Sequence, residues 1–192
     1  MKEYEEKAIV EPLTKEEKSE HSYDFRTGNP AVYCSTYGKY NNGSLQGMWV
    51  DLSTFDDQKD LFEFLYRLHY DENKPEFMFQ DYENFPRKFY SESAGIWLFK
   101  DLYEWINLDD KQREIVREYW DECDSNADIQ DILDRNVYSG YDEEKFFDTL
   151  AEEFMRNYGC LEVMQYYFDY EKWYRECGYS YHVTENYVFS AD

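Results

Sequence analysis

Carboxylates at helical spacing are the residues of this chain whose pattern points to chemistry. Asp110, Glu114, Glu118 and Glu122 recur at every fourth position, as do Glu144, Asp148 and Glu152, while Asp128, Asp131 and Asp134 recur at every third. Residues so spaced stack on one helix face, where like charges cost about 0.2–0.5 kcal/mol per pair. A face made only for solvation would alternate Glu with Lys and gain that amount. Lys111, Arg113 and Arg117 relieve the first ladder, but Lys145 stands nearly alone in the second. Four helical residues advance about 6 Å, and duplex DNA carries one charge per about 1.7 Å of axis. The chain holds 43 Asp and Glu against 20 Lys and Arg, a net charge of −23, which matches about 40 Å of duplex. Fixed carboxylates in rows can meet the Lys and Arg of a positive groove, bidentately in the case of Arg. The candidate surface comprises Asp109, Asp110, Glu114, Glu118, Asp121, Glu122, Asp124, Asp128, Asp131, Asp134, Asp142, Glu143, Glu144, Asp148, Glu152 and Glu153, with Asp81 and Glu83 as secondary contacts.

Other chemistries fit less well. Paired carboxylates serve glycosidases, but acids are so numerous here that any pair can be drawn. Tyr33, Tyr37 and Tyr40 could stack on sugars or bases, although such rings more often fill small cores. No Gly-rich phosphate loop, nucleophile elbow or Cys–His pairing occurs, so the expectation is a protein that is not an enzyme and needs no cofactor. Asp121 to Asp128 resembles a calcium loop in its acids, yet lacks the Gly of the sixth position and the Glu of the twelfth. His21, His69 and His182 are scattered, and Cys34, Cys123, Cys160 and Cys177 form no C-x-x-C pair, which argues against zinc and for free buried thiols. No signal-peptide pattern or membrane-length apolar run is present. The expected location is the cytoplasm. The charge would repel both nucleic acid and anionic membranes. An acidic module for another basic DNA-binding protein or nuclease is the alternative that charge alone leaves open.

The elements that must hold these acids form an α+β chain. Acidic chains with few aromatics stay disordered, but this one has 21 Tyr, 14 Phe and 5 Trp to build a core. Residues 1–29 read as a flexible extension with a short helix near Thr14 to Ser19. Residues 30–92 read as an α+β subdomain with a three-stranded antiparallel sheet. Its strands fall at 31–37, 47–52 and 76–82, with a loop over 38–44, a capping box from Thr54 to Asp57 and a helix burying Leu61, Phe62, Leu65 and Leu68. Residues 93–136 read as a helical subdomain, with Asp109 as one N-cap. Residues 137–192 read as a C-terminal α+β subdomain. It has a helix over 142–158 stopped by Gly159, a second helix over 161–177 stopped by Gly178, and a closing hairpin turning at Glu185-Asn186.

Residues 30–52 contain the spacing Tyr37-x-x-Tyr40-x-x-Gly43-x-x-x-Gly47-x-Trp49. This stretch resembles the opening of the ArdA family of antirestriction proteins. Gln80-Asp81-Tyr82-Glu83, Tyr138-Ser139-Gly140-Tyr141 and Asp169-Tyr170-Glu171-Lys172 resemble later family blocks. The resemblance covers residues 30–192; residues 1–29 have no counterpart, and the helical middle agrees in character rather than in letters. It implies an elongated homodimer of small subdomains that imitates bent duplex DNA. The implied partner is a type I restriction-modification enzyme, bound at the DNA cleft of its methyltransferase core and specificity subunit, so that cleavage and methylation both fall. The implied setting is a conjugative plasmid or transposon.

Overall fold

β-Branched and aromatic side chains favour extended backbone, and Ala31–Thr36 forms the central strand, β1. In this computed structural model, which describes residues 11–140, 142–159 and 162–191, β1 pairs antiparallel with Met48–Asp51 (β2) and Phe77–Glu83 (β3), giving the order β2–β1–β3. The β1–β3 register shifts between Tyr33 and Cys34, so Gln80 bulges out of the ladder. The segment after β1 is not a plain loop. Tyr37–Asn41 forms a short helix, α2, because the Thr36 hydroxyl accepts the Lys39 amide at 3.1 Å. The two glycines of the Tyr-Gly-Trp spacing have separate reasons. Gly43 sits at φ 74°, which disfavours residues with a Cβ. A Cβ on Gly47 would lie 2.7 Å from both the Cys34 carbonyl oxygen and the Tyr33 ring.

Gln58–Leu68 (α3) buries Leu61, Phe62, Phe64 and Leu65. Its cap is Asp57, whose carboxylate accepts the Lys59 amide at 2.7 Å and the Asp60 amide at 3.1 Å. Thr54, expected to start this helix, instead donates its hydroxyl to the Asp51 carbonyl at 2.7 Å. Ile96–Ile106 (α4) packs beside α3 through Phe62 and Phe99, whose ring centroids are 5.5 Å apart. The Tyr103 hydroxyl donates to the Leu52 carbonyl at 3.0 Å. Leu52, Leu61, Leu65, Phe79, Leu102 and Trp105 form the buried centre.

Residues 11–29 carry Lys15–Glu20 (α1), capped by Thr14 and Glu17 in a reciprocal box. Glu17 pairs with Arg67 of α3 at 2.8 Å. Beyond the helix, Ser22 bridges to Val50, and the Asp51 amide donates to the His21 carbonyl at 3.0 Å. The exposed edge of β2 is thereby covered. The chain divides into two compact units between Asn107 and Leu108.

The second unit has its own core. Asp110–Glu122 (α5) begins at Asp109, whose carboxylate accepts the Gln112 amide at 2.8 Å. It buries Ile115, Val116, Tyr119 and Trp120 against Ile129 and Ile132 of the short helix Ile129–Leu133 (α6). A second antiparallel sheet has the order β4–β6–β5, from Val137–Ser139 (β4), Tyr181–Val183 (β5) and Tyr187–Ser190 (β6). β5 and β6 are the expected hairpin; β4 is an additional partner strand. Glu143–Asn157 (α7) starts at Asp142 and packs Phe146 and Phe147 on Val188. The helix expected over 161–177 is broken into Glu162–Gln165 (α8) and Tyr170–Cys177 (α9), because the Asp169 carboxylate accepts the Lys172 amide at 2.9 Å and restarts it. Leu161 lies outside the described residues. Among the described residues no helix is long and apolar enough to cross a membrane.

An exposed carboxylate surface as candidate functional site

The C-terminal unit holds over half of the acidic residues on under half of the chain. Its candidates are exposed almost throughout. Asp110, Glu114, Asp121 and Glu122 on α5, Asp131 on α6, and Glu143, Glu144, Asp148, Glu152 and Glu153 on α7 all face solvent. Asp81 and Glu83 belong to the other unit, on β3, where Asp81 is exposed and Glu83 half-buried. Asp81 Oδ1 accepts its neighbour's amide, Tyr82 N, at 2.9 Å.

Several candidates also make local structure. Asp109, Asp128 and Asp142 are N-caps, and Asp128 accepts the Gln130 amide and Asp142 the Lys145 amide, each at 2.8 Å. A carboxylate there also lies at the positive end of the helix dipole. Asp124 accepts the Asn126 amide at 2.9 Å and shapes the turn after α5. The three-residue ladder proves to be one small helix with Asp128 at its start and Asp134 as its C-cap. An anion at a helix C-terminus is disfavoured by about 0.3–1 kcal/mol.

Glu118 departs most from the ladder reading. It is half-buried. Its Oε1 accepts from the Thr184 hydroxyl and from the Asn186 amide at 2.7 Å, and its Oε2 accepts from Asn186 Nδ2 at 2.9 Å. Burial pushes the carboxyl up, but these hydrogen bonds outweigh it and hold Glu118 below the ordinary Glu range. One turn earlier, Glu114 takes a hydrogen bond from the Tyr187 hydroxyl. Burial first, and then this carboxylate, push that phenol up. The Glu114–Glu118 stretch of α5 therefore lies along the β5–β6 hairpin.

Acids that the ladder search missed include Asp56, Asp60 and Glu63, which line a cavity of about 280 Å3 with His21 and Phe55. A signal was present: Asp57, Asp60 and Glu63 recur at every third position, the same spacing as Asp128, Asp131 and Asp134. Asp71 and Glu72 are less available: Lys39 reaches Asp71 at 2.9 Å, and Glu72 accepts the Thr36 hydroxyl at 2.6 Å. Exposed rings were also missed, among them Trp97, Tyr158, Tyr166, Tyr167 and Tyr179. Of the tyrosines considered for stacking, Tyr33 is engaged, donating its hydroxyl to the Leu45 carbonyl at 3.0 Å, whereas Tyr40 is 51% exposed. Among the described residues no group of three or more His, Cys, Asp or Glu could hold a metal ion. Cys34 is a buried free thiol, pushed up by its burial, and Cys123 and Cys177 are free and half-buried. Cys160 and Tyr141 lie outside the described residues.

Two antiparallel sheets, short capped helices and outward carboxylates define a mixed α+β protein with a strongly acidic surface. The family model described as antirestriction protein (ArdA) matches residues 32–189, and the chain belongs to that family. Its members are antirestriction proteins, so their partners are restriction enzymes. No curated protein matches the chain.

Proposed function

We propose that the chain blocks type I restriction-modification enzymes by standing in for duplex DNA in their binding cleft. What supports this reading is the set of exposed carboxylates on α5, α6 and α7, several of them fixed at helix starts. Rigid carboxylates offer Lys and Arg the charge-assisted hydrogen bonds that phosphates offer. The reading assigns partner contact to Asp110, Glu114, Asp121, Glu122, Asp131, Glu143, Glu144, Asp148, Glu152 and Glu153, with Asp81 and Glu83 secondary. Asp109, Asp124, Asp128, Asp134 and Asp142 add charge while shaping turns and caps. One DNA-binding module serves cleavage and methylation, so both activities fall together. The protein acts as a homodimer, in the cytoplasm, where incoming plasmid or transposon DNA needs protection. It performs no catalysis and uses no cofactor.

The test is competition. A purified type I enzyme is loaded with labelled duplex DNA, and the protein is added. The protein should displace the DNA at near-stoichiometric amounts at low salt, and its direct binding to the free enzyme should weaken steeply as salt rises, in parallel with that of DNA, because both ligands bind through charge. Direct binding that ignores salt, or no displacement at stoichiometric protein, would refute the reading. Equal displacement from an unrelated basic nuclease would favour the broader acidic-module alternative.

A further inference from the structure

The C-terminal unit contains a cavity of about 280 Å3 between α7 and α9. Four rings line it, those of Phe147, Tyr170, Trp173 and Tyr174, together with the carboxylates Glu144, Asp148 and Glu171. The rings are fixed by packing. Phe147 is buried and lies 4.4 Å from Tyr174, centroid to centroid. Trp173 is held by Phe154 at 4.6 Å and by Phe168 at 5.5 Å. Tyr170 is 37% exposed. Among the described residues no Lys or Arg lines the cavity, and the carboxylates of Glu144, Asp148 and Glu171 have no hydrogen-bond or ion-pair partner. Trp173 Nε1 is buried and likewise lacks a hydrogen-bond partner.

Aromatic faces attract cations through their quadrupole, and unpaired carboxylates beside them add to that attraction. A guanidinium suits the combination better than an ammonium: it is planar, stacks on rings, is more weakly hydrated and forks onto carboxylates. We propose that this slot seats one arginine side chain of the restriction enzyme. The inference rests on the DNA-mimic reading and deepens it. Duplex DNA presents phosphates to arginine but no ring-lined slot. The acidic surface then has an energetic centre instead of uniform affinity, as protein interfaces generally do.

Two variants of equal charge test this. Glu144→Gln/Asp148→Asn/Glu171→Gln neutralises the slot, and Glu16→Gln/Glu20→Gln/Asp101→Asn neutralises three exposed acids that belong neither to the slot nor to the assigned contact surface. Circular dichroism confirms that each folds. In competition against duplex DNA for a purified type I enzyme, the slot variant should weaken about thirtyfold and the control at most about threefold, since losing the carboxylates that fork onto a guanidinium costs about 2 kcal/mol. In parallel, the chain alone is titrated with N-acetyl-arginine amide and N-acetyl-lysine amide, read by indole fluorescence. Arginine amide should perturb wild type and control more than lysine amide does, and should leave the slot variant unchanged. Equal weakening of both variants against the enzyme overturns the slot and leaves the mimic standing. Failure of wild type to compete at all overturns the mimic reading itself. An arginine response equal in all three proteins, or a sedimentation change confined to the slot variant, also overturns the proposal; the latter marks the slot as a contact between copies.

Discussion

Removing the Glu118 carboxylate separates charge from architecture. Glu118→Ala and Glu122→Ala each delete one negative charge from the same face of α5, yet their consequences should differ. Glu118 accepts three hydrogen bonds from the hairpin turn. A hydrogen bond to a charged group contributes about 1.5–3 kcal/mol, but not all three are lost outright. The Thr184 hydroxyl also lies 2.9 Å from the Tyr187 carbonyl and can turn to it. Asn186 is exposed, so water replaces part of what its two donors lose. The net loss is therefore about 2 kcal/mol, for an interaction that is half solvated. In a unit of this size that lowers the melting midpoint by roughly 8 °C or more. Glu122 has no such bonds, and its substitution should stay within about 0.5 kcal/mol. Thermal denaturation followed by circular dichroism makes the comparison, with Thr184→Val/Asn186→Ala reproducing the larger loss at unchanged net charge. Glu118→Gln keeps an acceptor for the hairpin and should recover most of the stability without the charge. Equal midpoints for Glu118→Ala and Glu122→Ala would refute the reasoning.

Further outcomes follow from single positions. Gly47→Ala places a Cβ against the Cys34 carbonyl and the Tyr33 ring and should cost about 1–3 kcal/mol in urea denaturation, whereas a similar midpoint shift for exposed Gly95→Ala would show that the close approach is unimportant. His69 is 2% exposed and held down to about 4, by burial first and then by Lys39, with Asp71 opposing and Lys18 adding slightly. A lowered His pKa means the unfolded chain takes up the proton first, so stability should fall as pH drops from about 6.5 to about 4, by on the order of 2 kcal/mol; His69→Gln should flatten that slope in a pH series of denaturation curves. Asp142→Ala removes the α7 cap and should cost about 1 kcal/mol, with Asp142→Ser restoring stability but not charge.

The sequence made the first sheet legible because its strands carry β-branched and aromatic runs and its turn carries Gly43 and Gly47. Asp109, Asp142 and Gly159 marked real helix ends, since caps are local chemistry written in adjacent residues. The α8–α9 break was hidden: Tyr166, Tyr167 and Phe168 continue a helical apolar spacing without a Gly or Pro, and only the Asp169 side chain interrupts it. α2 was obscured by Gly38 and two asparagines, and it forms through the Thr36 cap. β4 is three residues long and gains its meaning only from β6, fifty residues away. At the surface, periodicity marked the outward acids of α5 and α7. It could not reveal that Glu118 is taken by Thr184 and Asn186, because that bond joins segments far apart in the chain. Nor could it separate exposed rings from core rings in a composition so rich in both.

Three of the negative groups, Asp109, Asp128 and Asp142, begin the helices that display the others. Reversing their sign would unwind the first turn as well as repel a basic partner. Scanning mutagenesis at these sites would report dwindling amounts of folded protein in the cell before it reported any change in grip. On the reading proposed above, attenuation of the protein therefore has two separable genetic routes, one through abundance at the helix starts and one through recognition along the helix flanks.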